Sequence, residues 1–308
     1  MNAIEIKNLT KKYRTGFFLR QTTAVENLNL SINEKEITGF LGPNGAGKTT
    51  TIKSVLGIIR PTSGTIRVFG EDPGYVSVKS RIGFLPEGPY FYDYLTGYEF
   101  LKFYGKLFGI ENRTLKKRIE SLINEVGLSK SENKPLKKYS KGMLQRIGIA
   151  QALINDPDLI ILDEPMSGID PIGRRDIREI ILNLKEQGKT VFFSSHILSD
   201  VEMICDQIAI INRGHLVEVK KINELRKAGE SMYEISVIAG NIDIFQSLIN
   251  EDNFLKERGN LLIFESNEEK KQELLKKIIG AGGEIVSISP VHKSLEEIFF
   301  EKISNSTK

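Results

Sequence analysis

Hydrophobic and polar residues alternate one by one in the first part of the chain. Ile4-Glu5-Ile6 and Leu28-Asn29-Leu30-Ser31-Ile32 follow this period of two, and Ile66-Arg67-Val68 is predicted as another short strand. Such alternation is typical of strands with one buried face, which occur mainly in antiparallel sheets. We therefore expect an antiparallel sheet near the start of the chain.

Continuous apolar runs take over further along and alternate with helical patterns. The apolar runs predict strands at 36–41, 82–85, 159–162, 191–193, 208–211 and 216–219. The helical patterns fall at 48–58, 97–108, 114–126, 140–154, 174–187 and 197–204. Strands in alternation with helices favour a parallel α/β sheet. Because residues 90–155 are mostly helical by pattern, we expect them to form a subdomain inserted between strands.

The end of the chain has a different order of elements. Strands are predicted at 233–237, around Phe254, at 261–264 and at 285–288, and helices at 242–250, 267–280 and 294–300. Without the last helix this is the βαββαβ order of the ferredoxin-like pattern. The predicted domains are 1–228 and a small α+β domain, 229–308.

Composition and charge agree with two domains and exclude several classes of protein. The chain has 308 residues, 43 Lys and Arg against 40 Asp and Glu, and one Cys. Its apolar runs are far shorter than the ~18–20 residues of a membrane helix, and its start lacks a signal-peptide core. A lone Cys excludes an internal disulfide or a cysteine-based zinc site. We therefore expect a cytoplasmic protein, and the net charge of +8 on 1–229 against −5 on 230–308 indicates two different surfaces.

The strongest chemical signal is a glycine-rich loop between the strand at 36–41 and the helix at 48–58. Its sequence is Gly42-Pro43-Asn44-Gly45-Ala46-Gly47-Lys48-Thr49, which fits the GxxxxGK[ST] pattern of a phosphate-binding loop, or Walker A motif. The backbone N–H groups of such a loop and the N-terminus of the next helix, which includes Thr50, bind a polyphosphate. Lys48 is expected to reach the β- and γ-phosphates, and the Thr49 hydroxyl to bind Mg²⁺.

Two carboxylates follow the apolar strand at 159–162. Asp163 and Glu164 stand at the C-terminal end of this strand, where a parallel sheet brings them near the phosphate loop. Asp163 is expected to hold Mg²⁺, directly or through water, and Glu164 to orient and polarise an attacking water. Alone, the pair is equally consistent with a solvated strand end; beside a phosphate loop it predicts an ATPase.

Three further motifs follow in order and complete a resemblance to a known family. They are Tyr139-Ser140-Lys141-Gly142-Met143-Leu144-Gln145-Arg146, Ser167-Gly168-Ile169-Asp170 and Ser195-His196. With the phosphate loop and the carboxylates, residues 1 to about 225 resemble the nucleotide-binding subunit of an ATP-binding cassette (ABC) transporter. The resemblance implies a P-loop NTPase fold, with a mixed sheet core, an antiparallel β subdomain and a helical subdomain, and it implies ATP and Mg²⁺ as ligands.

The resemblance also assigns roles residue by residue. Tyr13 would stack on adenine, Ser140 and Gly142 would contact the ATP of a partner subunit, and His196 would sense the γ-phosphate. From the residues alone, simpler interpretations stay open. Tyr13 fits ordinary surface packing, Ser140 fits an ordinary helix N-cap, and a lone His is more often structural.

Several positions depart from the usual family pattern. Lys141 replaces a glycine of the signature and Tyr139 a leucine, so a positive charge is added near the subunit interface. Glu87 stands where a glutamine is usual; it is a candidate to accept a hydrogen bond from a Mg²⁺-bound water, or contacts no ligand. The stretch Arg14–Gln21 is longer than in many relatives and has no assigned role.

Aromatic residues concentrate in the predicted helical subdomain. Residues 84–108 hold 10 of the chain's 25 Phe and Tyr, and neighbours such as Tyr90, Phe91, Tyr92 and Tyr94 cannot all face inward. Exposed aromatic patches are typical of docking sites, although a well-filled subdomain core explains about half of these residues. In the family this region receives a short helix of the membrane subunit.

The interpretation that follows is an ATPase subunit of an export-type transporter. A second ATPase subunit and a separate transmembrane permease are the expected partners, which would keep the chain peripheral at the inner face of the membrane. No nucleic acid is expected, although an ABC-type ATPase acting on ribosomes or DNA is an alternative. A non-catalytic ATP-sensing subunit is another alternative, suggested by Glu87 and Lys141. The C-terminal domain resembles extensions that serve dimerisation, regulation or no catalytic role.

Overall fold

The computed structural model describes residues 1–15, 20–222, 224, 232–238, 254–258 and 260–290. The chain divides into two units, Met1–Lys221 and Ile222–Lys308. Among the described residues, no helix is long and apolar enough to cross a membrane.

An antiparallel sheet opens the first unit, as the alternating pattern predicts. It contains β1 (Asn2–Thr15), β2 (Arg20–Asn33) and β4 (Ser63–Val68), in the order β2-β1-β4. Ile6 of β1 pairs with Leu30 on one side and with Ile66 on the other. These three side chains are buried, so one face of the sheet packs on the core while the polar residues between them point away.

A six-stranded sheet forms the centre of the first unit. Its strands are β3 (Ile37–Leu41), β5 (Ile82–Leu85), β6 (Leu159–Leu162), β7 (Thr190–Ser195), β8 (Gln207–Asn212) and β9 (His215–Lys221), in the order β5-β6-β7-β3-β8-β9. All neighbours are parallel except β8 and β9. Because β6, β7 and β3 are adjacent and parallel, the loops that follow them leave the sheet at the same edge.

The helices of the first unit follow the predicted pattern with shifts at their ends, except the short helix Val76–Lys79, which was not predicted. They are α1 (Lys48–Val55), α2 (Val76–Lys79), α3 (Gly97–Leu107), α4 (Asn112–Glu125), α5 (Lys141–Ala152), α6 (Pro171–Glu186) and α7 (Leu198–Ile204). Helices α3, α4 and α5 lie between β5 and β6 in the chain. Helix α6 begins earlier than expected because Asp170 caps it, accepting a hydrogen bond from Gly173 N at 3.2 Å, and proline occupies its first turn.

The single cysteine, Cys205, is a buried core thiol. Cys205 is the first residue after α7, and its backbone is already extended. Burial, with Asp206 nearby, raises the pKa of the Cys205 thiol well above its ordinary value. The thiol therefore stays protonated, and its sulfur packs closely against Gly39 of β3, where an added Cβ would come within 2.8 Å of it.

Two glycines bring α5 and β5 into close contact. A Cβ on Gly83 of β5 would lie 2.1 Å from the carbonyl oxygen of Ala152, and a Cβ on Gly148 of α5 would lie 2.6 Å from Leu85 Cδ1. Neither position has room for a larger side chain, so the helix rests directly on the strand.

The second unit contains a four-stranded antiparallel sheet. Its strands are β10 (Met232–Ile238), β11 (Phe254–Arg258), β12 (Leu261–Asn267) and β13 (Glu284–Pro290), in the order β11-β12-β10-β13, with α8 (Glu268–Gly280) before the last strand. Its buried side chains are Ile235, Val237, Leu262, Phe264, Leu274 and Ile278. The helices predicted at 242–250 and 294–300 lie outside the described residues.

Candidate active site

The glycine-rich loop leaves the end of β3 and leads directly into α1. Gly47 is the N-cap of α1 with φ at 108°, and no side chain caps the helix. A Cβ on Gly47 would lie 2.7 Å from the carbonyl oxygen of Ala24, so only glycine fits both the backbone and the space. Because no side chain covers the first N–H groups of α1, they are available to an anion.

A cavity of about 390 Å³ lies in front of this loop. It is lined by Ala24, Asn44, Gly45, Gly47, Lys48, Thr49, Thr50, Glu87 and Glu164. The fold thus brings together the loop, Glu164 of the carboxylate pair and the unusual Glu87, although each is distant from the others in the sequence. Ala24, on β2, was not predicted, and nothing in its sequence neighbourhood indicates that it borders the cavity.

Lys48 is buried at the base of this cavity. Its ammonium donates a hydrogen bond to Gly42 O at 2.7 Å and another to Pro43 O at 3.2 Å. The same ammonium lies 3.0 Å from Glu164 Oε1, and both side chains are only 6% exposed. Glu164 Oε1 makes no directed hydrogen bond, so the interaction with Lys48 is an ion pair whose geometry leaves that oxygen able to accept another donor.

Glu164 is held on its other side by β7. Its second carboxylate oxygen, Oε2, lies 2.8 Å from His196 Nδ1. Its backbone N–H donates to Ser194 Oγ at 2.8 Å, and that hydroxyl in turn donates to Asp163 Oδ1 at 2.6 Å. Ser194 therefore fixes both carboxylate residues. It was missed from the sequence, where its only signal is a hydroxyl at the end of an apolar strand.

The backbone of Glu164 has φ at 52°, in the left-handed region. A non-glycine residue in this region is uncommon, and such strain of about 1–3 kcal/mol concentrates at functional sites. The conformation directs the carboxylate toward Lys48 and His196, while Asp163 remains buried beside Ser194.

The oxygen atoms available for a metal fit Mg²⁺. Thr49 and Glu87 line the cavity, and Asp163 is buried next to Glu164 in the sequence. The candidate donors are therefore one hydroxyl and two carboxylates. Within the described ranges, no cluster of three or more His, Cys, Asp or Glu side chains could hold a metal by itself. Mg²⁺ is usually bound by one or two protein groups together with water and substrate phosphates.

The signature motif opens α5 but does not line this cavity. Ser140 is the N-cap, and its Oγ accepts a hydrogen bond from Met143 N at 3.3 Å. The side chain of Lys141 lies over Gly168, where a Cβ would come 2.2 Å from Lys141 Nζ. A Cβ on Gly142 would lie 3.5 Å from Ile169 Cγ2. The signature motif and the loop after the carboxylates are therefore packed against each other.

Tyr139, the other departure in the signature, is accommodated by the helical subdomain. Its hydroxyl donates to Ser131 O at 2.7 Å. A Cβ on Gly97 would lie 2.5 Å from this hydroxyl, so the glycine provides space for the larger ring. Burial, with Glu132 adding a smaller effect, raises the pKa of Tyr139 above its ordinary value. Its role in the fold is structural.

Tyr13 lies on β1, paired with Thr22, and is not among the residues that line the cavity. Its ring is 36% exposed, with Lys11 Nζ 5.1 Å from the ring centroid. This exposed face is compatible either with adenine or with ordinary surface packing.

The aromatic residues of the helical subdomain divide into a buried and an exposed set. Phe100 is buried, whereas Tyr90 and Tyr94 are 83% and 73% exposed. An open groove is lined by Tyr92, Tyr94, Leu95, Glu99, Lys102, Phe103 and Lys106. The rings contact one another, as in the edge-to-face pair of Tyr92 and Phe103 with centroids 5.5 Å apart, a favourable arrangement for aromatic side chains.

Comparison with known proteins identifies the class to which this site belongs. The family model described as ABC transporter matches residues 25–167. The model described as ATP-binding protein DrrA1-3-like, C-terminal domain, matches residues 221–303. An ABC transporter ATP-binding protein of Nostoc sp. (strain PCC 7120) is 43% identical, over 98% of this chain and 90% of that protein. The chain therefore belongs to the ABC transporter ATP-binding proteins.

Two further comparisons support this assignment. The bacitracin transport ATP-binding protein BcrA of Enterococcus faecalis is 39% identical, over 97% of this chain and 96% of that protein. A solved ATP-binding cassette, a dimer in a post-hydrolysis state bound to ADP and Pi, is 25% identical. The match covers 71% of this chain and 98% of that one, with a TM-score of 0.65. The protein is an ATP-binding ABC subunit with the cassette fold, and it is an ATPase.

Proposed function

We propose that this chain hydrolyses ATP to drive a separate transmembrane permease, working as one of two ATPase subunits in an export-type transporter. The observation that carries the proposal is the position of Glu164. Its two carboxylate oxygens lie 3.0 Å from Lys48 Nζ and 2.8 Å from His196 Nδ1, beside the phosphate-loop cavity. One carboxylate thus joins the group that would bind phosphate to the group that would sense it.

The phosphate loop and Lys48 bind the polyphosphate of ATP. The uncapped N–H groups of α1 donate hydrogen bonds to the phosphate oxygens, and the Lys48 ammonium moves from the carbonyls of Gly42 and Pro43 toward the β- and γ-phosphates. Thr50 adds a hydroxyl to the first turn of α1, and Tyr13 stacks on adenine. The support is the set of loop residues that line one cavity.

Glu164 activates the attacking water. Its carboxylate accepts a hydrogen bond from the water and orients it toward the γ-phosphorus, as a general base does. His196 lies against the outer oxygen of this carboxylate and is 38% exposed, so its ring can also contact the γ-phosphate. Ser194 keeps the backbone of Glu164 in place throughout.

Thr49 would hold Mg²⁺ through its hydroxyl, Asp163 would hold it directly or through water, and Glu87 would accept a hydrogen bond from a Mg²⁺-bound water. When bound, Mg²⁺ neutralises charge on the phosphates. The residues fit this role because all three offer oxygen, and Thr49 and Glu87 border the same cavity as Lys48.

Two such subunits close on two ATP molecules. Ser140 and Gly142 begin an exposed helix end and contact the ATP of the other subunit, so neither subunit hydrolyses efficiently alone. The dimeric solved cassette supports this arrangement by similarity. The domain at 1–228 carries this chemistry, and the domain at 229–308 is an appendage without a catalytic part.

The aromatic groove around Tyr92, Tyr94 and Phe103 receives the permease. This contact keeps the chain at the inner face of the membrane without a membrane segment of its own. Relatives named for bacitracin transport support transport as the process that hydrolysis drives. Mass spectrometry of the membrane protein that co-purifies with the chain identifies the permease. The variant Tyr94→Ala, Phe103→Ala should lose it while keeping ATP binding.

The decisive experiment is Glu164→Gln. It preserves shape and removes the base, so kcat should fall at least about 100-fold while ATP still binds. Glu186→Gln, an exposed carboxylate at the end of α6, is the matched control and should keep the wild-type rate. A wild-type rate for Glu164→Gln would overturn the assignment of the base. Loss of ATP binding would point to a structural role instead.

A further inference from the structure

A buried carboxylate outside the proposed machinery joins α6 and α7. Asp200 on α7 is 1% exposed, and its Oδ1 accepts a hydrogen bond from Arg178 Nη1 at 2.6 Å. Arg174 Nη1 lies 3.8 Å from the other oxygen, Oδ2. The two arginines are four residues apart on α6 and therefore share one face of that helix.

This contact is strong and directional. An ionised carboxylate removed from water is tolerated only when it is paired and hydrogen-bonded. The Arg178 side chain is 21% exposed and forms the short contact. Asp200 Oδ2 has no hydrogen-bond partner, so the interaction with Arg178 is the one that holds the carboxylate. Movement of α7 away from α6 would leave a buried charge unpaired.

Together with the contact between Glu164 and His196, this contact joins the segment that leads from Glu164 into α6 to the segment that leads from His196 into α7. Helix α6 begins at Pro171, soon after Glu164, and α7 begins at Leu198, two residues after His196. Between His196 and α7 the chain is fixed by Ile197 N, which donates to Ser195 Oγ at 2.9 Å. Ile197, the N-cap of α7, is the one residue between His196 and the helix, so a shift of α7 would act on His196 through a very short link.

We propose that Asp200 is a positioning residue for hydrolysis, holding α7 on α6 so that His196 Nδ1 remains at Glu164 Oε2. This rests on the proposed roles of Glu164 and His196. Misplacement of a reacting group by about 1 Å can cost about 100-fold in rate. Asp200 is not among the residues that line the cavity. Its substitution should therefore change the positions of Glu164 and His196 but not the affinity for nucleotide.

The test compares Asp200→Asn, Arg178→Gln and the double variant with the full-length wild-type chain. Each single variant should lower kcat about tenfold and leave the KM for ATP within about twofold. The double variant removes both charges, so it should be no slower than either single variant, as expected when both act through one contact. Asp158→Asn, which breaks an exposed 2.6 Å pair with Arg81, is the control and should be unaffected.

A spectroscopic readout separates positioning from a general loss of stability. The chain has three histidines, so the ring signals of His196 and His215 can be assigned by substitution and compared in long-range ¹H–¹⁵N spectra. In Asp200→Asn the His196 signal should shift while that of His215, on β9, stays unchanged.

The proposal would be overturned by a wild-type kcat in Asp200→Asn or by a His196 signal that does not move in that variant. A rise in the KM for ATP equal to the loss in kcat would also contradict it. If Glu164→Gln hydrolyses ATP at the wild-type rate, the proposed function fails first. If Glu164→Gln is inactive and Asp200→Asn is normal, only the role of Asp200 fails.

Discussion

The N-termini of α1 and α5 are both candidate phosphate sites, and they differ in how much of the site the chain supplies. At α1 the cap is Gly47 and no side chain covers the helix end. A cavity and a buried ammonium face it. At α5 the cap is Ser140, whose own hydroxyl satisfies Met143 N, and the helix end is exposed. Ser140 and Gly142 are not among the residues that line the cavity.

The difference between the two helix N-termini indicates what each one requires in order to bind phosphate. The α1 end has glycines, a lysine and a cavity, so it can hold a polyphosphate from within one chain. The α5 end has only a helix terminus and a capping serine, which for an isolated helix is ordinary capping. A second surface is needed to make it a site, and this is why we propose that the α5 end acts on the ATP of another subunit. Three substitutions test this difference between the two helix ends.

Lys48→Ala should have the largest effect, because it removes the ammonium from the α1 site. Loss of charge-assisted hydrogen bonds to phosphate, each worth about 1.5–3 kcal/mol, should weaken ATP binding about 100-fold. The Glu164 carboxylate, no longer neutralised, would add repulsion. Fluorescent-nucleotide titration measures the change, with Lys53→Ala on the exposed side of α1 as control. Unchanged affinity would mean that Lys48 stays with its loop carbonyls and Glu164 when nucleotide binds.

Ser140→Ala should have an intermediate effect and should act on hydrolysis only. ATP affinity of the single chain should stay the same, while kcat falls about tenfold, the value of one lost hydrogen bond of about 1.4 kcal/mol. The lost N-cap should also lower Tm by about 2–4 °C. Thr96→Ala is the matched control. Thr96 caps α3, accepting from Glu99 N at 3.2 Å, so the variant should lose similar stability without losing activity. An equal loss of kcat in Ser140→Ala and Thr96→Ala would mean that Ser140 acts only as a helix cap.

Lys141→Gln should have the smallest effect, because the side chain is exposed and its charge is screened. If its charge favours association of two subunits on ATP, the protein concentration for half-maximal activity should rise about two- to fivefold at low salt. The difference should vanish at high salt. Lys137→Gln, an exposed charge nearby in the chain, should show neither change. A salt-independent loss would instead indicate that Lys141 acts through its packing on Gly168.

The sequence was most informative where chemistry needs a fixed local pattern. The phosphate loop is contiguous, so the spacing of Gly42, Gly47 and Lys48 predicts both the turn and the helix that follows. The antiparallel and parallel sheets were likewise predictable, because the period of hydrophobic positions changes between them. The cassette fold was implied by the resemblance of the ordered motifs to a known family. The start of α6 was placed late because the pattern marks only its apolar face, whereas Asp170 and Pro171 set the true beginning.

Contacts between distant segments could not be predicted in this way. Ser194 joins Asp163 and Glu164 only because β6 and β7 are neighbours in the sheet. The pair formed by Asp200 and Arg178 depends on how two helices pack, and the pattern of each helix shows only that it is amphipathic. The roles proposed for Tyr13, Ser140, Gly142, His196 and Glu87 remain predictions that the experiments above address.

The close contact at Gly83 and Gly148 gives the cassette a mechanical property. The backbone of β5 at Gly83 meets the backbone of α5 at Ala152, and Gly148 of α5 lies against the Leu85 side chain of β5. The helix therefore has little freedom to slide along the strand. Ser140 lies at the free end of this helix, and Glu87 follows soon after this strand. A displacement of the exposed end of α5 would therefore move the helix and the strand together. This movement would also displace Glu87 at the edge of the cavity. In the dimer that we propose, closure of the second subunit on this end of α5 would move Glu87 without a direct contact between them.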